Sequence, residues 1–208
     1  MSKQRHGSAV LSMSFLSLGL SFSVVAEQSV VEVCADCHGQ DGQARENTIP
    51  NLWGLSESYL TSQVKAFREQ KRTSTFMQPI VHDLTDEQIK QAVAHYVAQP
   101  DAKTFTIKWR GETWPGDISL GEQIAYSGKW QDNVPACVSC HGPSGVGVDP
   151  SFPRLAGQNA DYLKKQLMAW KQDKRPPGVL GSMVSISKAL SDEEIAAVSD
   201  YFANLGEQ

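Results

Sequence analysis

Cys34-Ala35-Asp36-Cys37-His38-Gly39 returns 103 residues later as Cys137-Val138-Ser139-Cys140-His141-Gly142, and the residues after each motif keep step. At that offset Pro50 matches Pro153, Leu52 matches Leu155, Gly54 matches Gly157, and Tyr59-Leu60 matches Tyr162-Leu163. Gln63 and Gln166, Phe67 and Trp170, and Lys71-Arg72 and Lys174-Arg175 continue the series. Three residues are then inserted in the second half, after which Met77 matches Met183, Leu84 matches Leu190 and Asp86-Glu87 matches Asp192-Glu193 at an offset of 106. Identities in one order over such a span indicate a duplicated unit rather than one large core. The expected copies are residues 27–100 and 116–208. Residues 101–115 are the expected linker, where Gly111, Pro115 and the tryptophans Trp109 and Trp114 break any helical pattern.

Residues 1–26 are set aside before the fold is considered. Lys3 and Arg5 form a positive start, Ala9 to Val25 is apolar apart from serines and a glycine, and Val24-Val25-Ala26 offers a small-residue cleavage site. An uncleaved anchor is the alternative, weakened by the serines. No twin-arginine pair precedes the apolar run and no cysteine follows the cut, so the general secretory route to the periplasm is expected, with cleavage after Ala26. The formal net charge of −4 is spread without a basic block, which excludes nucleic acid as the natural partner.

Each copy is expected to be helical, giving an all-α protein. Tyr59, Leu60, Val64 and Phe67 form an apolar stripe echoed by Tyr162, Leu163, Leu167 and Trp170, with Ser56 and Asn159 placed as N-caps. Thr85-Asp86-Glu87-Gln88 and Ser191-Asp192-Glu193-Glu194 fit the capping box and open the last helix of each copy. Leu120 to Tyr126 predicts a helix before the second motif. Only Glu27 to Val33 precedes the first, so that opening helix is expected to be shorter or absent. No alternating run of useful length predicts a strand.

The cysteine pairs carry the chemistry. Two thiols one helical turn apart can reach the two vinyl groups of a porphyrin, and the adjacent imidazole then falls under the iron. Cys34, Cys37, Cys137 and Cys140 are therefore the expected attachment points of two covalent c-type haems, with His38 and His141 as proximal ligands. A zinc ribbon would place its pairs much closer together, a disulfide framework gives no reason for the histidines, and a thioredoxin-like pair would need a βαβ setting. A unit of this size also gains from a bonded apolar body at its centre. Met77 and Met183, paired across the repeat, are the expected sixth ligands; a thioether favours ferrous iron and closes the site to oxygen chemistry. Core filling is the other role for these methionines. Met168 has no counterpart and is read as packing. His82 and His95 are likewise unmatched, and His82 remains the alternative ligand for the first haem.

The motifs, the stretch Phe152-Pro153-Arg154-Leu155-Ala156-Gly157-Gln158 with Tyr162-Leu163 and Gln166-Leu167, and the openings of both final helices make the chain resemble the cytochrome c4 family. That resemblance implies two class I cytochrome c domains in tandem, each wrapped around one haem, with a proline carbonyl accepting the proximal imidazole's hydrogen. Here those prolines are Pro50 and Pro153, otherwise ordinary loop prolines. Arg72 and Arg175 are placed either against haem propionates or as solvated cations at helix ends. The second copy matches more closely; the first departs at Leu55-Ser56, where the second has Gln158-Asn159. The implied function is transfer of single electrons, with no substrate chemistry, from a membrane donor such as a quinol-oxidising complex to an acceptor such as a terminal oxidase. The expected form is a monomer whose contacts with partners are small and transient and whose membrane association is at most peripheral. Two alternatives stay open: an electron-accepting subunit of a flavoprotein dehydrogenase such as sulfide dehydrogenase, and a haem enzyme with one open iron.

Overall fold

A computed structural model describes residues 29–101, 118–178 and 181–205. The leader and nearly all of the expected linker, with Trp109 and Trp114, lie outside these residues. Among them the regular structure is helical, with β-pairing confined to the single bridges Lys129–Val134 and Val148–Phe152. No helix among the described residues is long and apolar enough to cross a membrane.

The first half contains α1 (Val30–His38), α2 (Glu57–Arg68), α3 (Met77–Val81) and α4 (Asp86–Val97). The second contains α5 (Leu120–Ser127), α6 (Val138–His141), α7 (Ala160–Lys171), α8 (Ser182–Ala189) and α9 (Asp192–Ala203). The expectation of a short or missing first helix is corrected. Ser29 and Glu32 form a capping box, and from there α1 runs unbroken through the Cys-x-x-Cys-His motif because no glycine or proline interrupts it. In the second half Gly128 and Pro135 separate α5 from the motif helix α6.

The predicted capping boxes are present at Thr85–Gln88 and Ser191–Glu194. Each anchors a helix that supplies its half's core: Ile89, Val93 and Tyr96 pack with Leu55 and Leu60, and Ile195, Val198 and Phe202 pack with Ile124, Val134 and Leu190. Helix α5 crosses α9 where Gly121 lies against the Ala197 carbonyl, an approach that any side chain would block. The apolar stripe of α7 behaves differently: no residue of this helix is fully buried, although Tyr162, Leu163, Leu167 and Trp170 all face inward on a cavity. Leu163 and Leu167 meet the second core on one side, and the rest of the stripe is left to the cavity.

One buried polar atom is out of place. Ser187 is fully buried in α8, and its hydroxyl has no hydrogen-bond partner. Its counterpart in the repeat, Val81, is buried too. An unmet buried hydroxyl costs about 1–3 kcal/mol, so Ser187→Val is expected to raise the denaturant midpoint by about 1 kcal/mol of stability. Urea unfolding with an unchanged slope checks this; a lower midpoint would show that the extra methyl overpacks the site.

Candidate haem sites

Helix α6 ends at His141 and the chain then turns through Gly142, whose φ of 79° suits glycine. His141 is buried, and its Nδ1–H donates to the Pro153 carbonyl at 2.7 Å. Since a carbonyl only accepts, this bond fixes the tautomer and leaves Nε2 with a free lone pair. Burial pushes the imidazole's pKa below its ordinary value, outweighing the opposite pull of the Pro153 bond, so the ring is neutral and fit to bind a metal. Cys137, Cys140, His141 and Met183 all line one cavity of about 580 Å³, together with Leu163, Leu167, Ile186 and Phe202. The volume is that of a sizeable ligand and the walls are mainly apolar. Burial pushes the Cys137 thiol up to about 12.

The first half repeats the proximal side. His38 is buried, its Nδ1–H donates to the Pro50 carbonyl at 2.9 Å, and burial again lowers its pKa. Cys34 is half-buried and Cys37 exposed. Met77 opens α3, where Ser74 Oγ accepts its backbone N–H at 3.1 Å. His82 stands in solvent with Nδ1 at 2.7 Å from Asp83, and His95 bonds the Gln40 carbonyl at 2.7 Å. All four cysteines are free thiols, and among the described residues no group of three or more His, Cys, Asp or Glu side chains converges on one point.

Arg72 and Arg175 are not solvated helix ends, and that expectation is corrected. Both are buried where the two halves meet. Arg72 donates to Gln63 Oε1 at 2.7 Å, Gln166 Oε1 at 2.7 Å and the Tyr162 hydroxyl at 3.0 Å. Arg175 reciprocates with Gln166 Oε1 at 3.1 Å, Gln63 Oε1 at 3.3 Å and the Tyr59 hydroxyl at 3.4 Å. Each guanidinium also covers an aromatic ring of its own half, Phe67 at 4.5 Å and Trp170 at 3.8 Å. Burial and the neighbouring Arg72 push Arg175 below its ordinary pKa. Burial alone would raise the Tyr162 phenol, but the two guanidiniums draw it down. Two buried cations thus face each other with phenol and amide oxygens for partners and no carboxylate of the described residues among them. Uncompensated buried charge is expensive. This cluster lines the same cavity as His141 and Met183, so the donor set fits the carboxylates of a porphyrin.

Other contacts between the halves are not marked in the local sequence. Asn159 stands at the N-cap of α7 but does not cap it; its amide donates to the Ile49 carbonyl at 2.6 Å and the Glu46 carbonyl at 3.2 Å. The helix N–H that it leaves, at Tyr162, is taken by the Asn47 carbonyl at 3.0 Å. Ser56, by contrast, caps α2 as expected through the Tyr59 N–H. The identity of Tyr59 with Tyr162 and of Gln63 with Gln166, polar groups inside an apolar stripe, was the available signal for a shared role.

The Cytochrome c family model matches residues 120–206. A thiosulfate dehydrogenase electron acceptor from Stutzerimonas stutzeri is 42% identical over 176 residues, covering 84% of this chain and 80% of that protein. Cytochrome c4 from Pseudomonas aeruginosa is 35% identical over 182 residues, 86% of this chain and 87% of its own length. Among solved structures, reduced cytochrome c4 from Pseudomonas stutzeri superposes with a TM-score of 0.72 at 29% identity, covering 84% of this chain and 94% of that one. A thiosulfate dehydrogenase from Marichromatium purpuratum gives 0.72 at 35% identity over 83% of this chain, which spans only 36% of that protein. Two complete motifs, the helical fold and these relatives lead to one conclusion: the chain belongs to the cytochrome c4 family, electron-transfer proteins that carry two haem c groups.

Proposed function

We propose that this chain is a periplasmic dihaem carrier that accepts single electrons from a substrate-oxidising dehydrogenase and passes them to an acceptor of the respiratory chain. The observation that carries it is the repeated site: in each half a neutral, proline-anchored imidazole follows a Cys-x-x-Cys pair, and a methionine recurs at the matching position. In this reading residues 27–100 and 116–208 are the two haem domains and 101–115 joins them. Cys34 and Cys37 hold one haem and Cys137 and Cys140 the other; His38 with Met77, and His141 with Met183, bind the irons. Haem iron bound by these residues would supply the chemistry, the gain and loss of one electron.

The protein's own part is to keep that change cheap. Pro50 and Pro153 hold the imidazole rings in place, so little reorganisation accompanies electron transfer. Arg72 and Arg175 neutralise propionates that would otherwise be buried without counterions. The relative named as an electron acceptor of thiosulfate dehydrogenase favours a dehydrogenase as donor. The relatives named cytochrome c4 favour the second reading, a carrier fed by a quinol-oxidising complex.

An optical redox titration of the haem-loaded protein tests the carrier. Two haems, both with the ferric methionine–iron band and neither binding carbon monoxide, are expected; one high-spin haem open to carbon monoxide would overturn the reading. Stopped-flow reduction by a thiosulfate dehydrogenase with thiosulfate, set beside reduction by a quinol-oxidising complex, identifies the donor.

A further inference from the structure

The peptide unit between Pro50 and Asn51 is held at both ends. Its carbonyl accepts the His38 Nδ1–H at 2.9 Å, and its N–H, that of Asn51, donates to Gln158 Oε1 at 2.8 Å. Gln158 comes from the other half of the protein. Its amide also donates from Nε2 to the Asn51 carbonyl at 2.9 Å, so one side chain grips both backbone groups of Asn51. Gln158 is buried, and its Oε1 is held in place by the Asn159 N–H at 3.0 Å. A hydrogen bond donated by a peptide N–H draws electron density onto the carbonyl oxygen of the same unit, and bonds in such a chain strengthen one another.

We infer that Gln158 is a positioning residue for the first haem's proximal ligand: from the second domain, through a single peptide unit, it strengthens the bond that His38 makes to Pro50. This rests on the reading of His38 as an iron ligand. A stronger acceptor at Nδ1 makes the imidazole a more basic ligand, and a more basic ligand favours ferric iron. Docking of the second domain therefore lowers the potential of the first haem. Gln158 has no counterpart in the first half. The repeat places Leu55 where the second half has Gln158, and leucine has no group with which to return its bonds.

Gln158→Leu is the direct test, with Gln158→Met as its unbranched equivalent should leucine fail to assemble. The His38 Nδ1–H resonance, observed by proton NMR on the ferrous, haem-loaded protein with labelled histidine, is expected to move upfield while that of His141 stays in place. The potential of the first haem is expected to rise, so that in the half-reduced protein the electron distribution shifts about threefold toward it, ~28 mV at 59 mV per tenfold for one electron. Asn159→Ala serves as the comparison, because it removes the bonds to Ile49 and Glu46 and a 3.5 Å contact from the Asn51 side-chain amide but leaves the Asn51 backbone N–H on Gln158. If Asn159→Ala moves the His38 resonance and the potential as much as Gln158→Leu, or if neither variant moves them, the relay is overturned. The ligation beneath it is read separately, in the unsubstituted protein, where a His38 resonance lacking any haem ring-current shift would remove the premise.

Discussion

Met183→Ala is expected to lower the second haem's potential by on the order of 0.1–0.3 V, within the ~0.8 V that axial ligands span, and to let that iron bind carbon monoxide. Both changes follow from one lost bond. A thioether is a soft ligand that stabilises ferrous iron, and its removal leaves a coordination position open to a small diatomic or to water. Met183 sits in the first turn of α8 and lines the same cavity as His141. Packing alone would predict a different result: loss of a few kcal/mol of stability from truncating a methionine, with no new ligand at iron. Met168→Ala supplies that contrast within the same protein, since Met168 packs against the second core and is expected to lose stability without opening the iron. Carbon monoxide difference spectra of the two variants, with potentials measured alongside, decide between ligand and filler.

The parts of this site that could be read from residues alone are those set by local chemistry. The two motifs fix where thiols and imidazole fall relative to one another, because one helical turn separates them. Capping boxes at Thr85 and Ser191 were legible for the same reason: the bonds that satisfy the first turn are made within four residues. Asn159 marks the limit. Its type and position both announce an N-cap, yet the Asn47 carbonyl takes over the Tyr162 N–H and frees the amide for Ile49 and Glu46. Nothing within ten residues of Asn159 encodes that exchange. Arg72 and Arg175 show the same limit, since a cation after a helix looks solvated until a second copy of the motif closes over it. The repeat itself held the missing information, as an interface built from one surface used twice brings equivalent residues face to face.

The largest effect on the fold is expected from preventing attachment of the second haem. Cys137→Ala with Cys140→Ala, purified without that haem, would leave α7 and α8 facing a cavity of about 580 Å³. Removing a large apolar body from walls that include Leu163, Leu167, Ile186 and Phe202 takes away packing that is a sizeable share of the stability of a small domain. Collapse of α7 inward offers little relief. Leu163, Leu167 and Met168 already pack against the second core, so little apolar surface is left for it to find, and Arg175 would be drawn toward apolar walls without an anion. The second half is therefore expected to keep part of its helix content while losing fixed packing, as seen in reduced near-ultraviolet dichroism, binding of a hydrophobic dye and a broadened thermal transition. Trp170, covered by Arg175 at 3.8 Å, reports the change through its fluorescence. Limited proteolysis should cut first within 118–205 and spare α1 to α4, whose core of Leu55, Leu60, Ile89, Val93 and Tyr96 meets that cavity only through Leu55. A sharp, cooperative transition in the haem-free second half would instead mean that Ile195, Val198 and Phe202 hold it unaided. The cavity would then be a pocket in a finished domain rather than the unfilled centre of one.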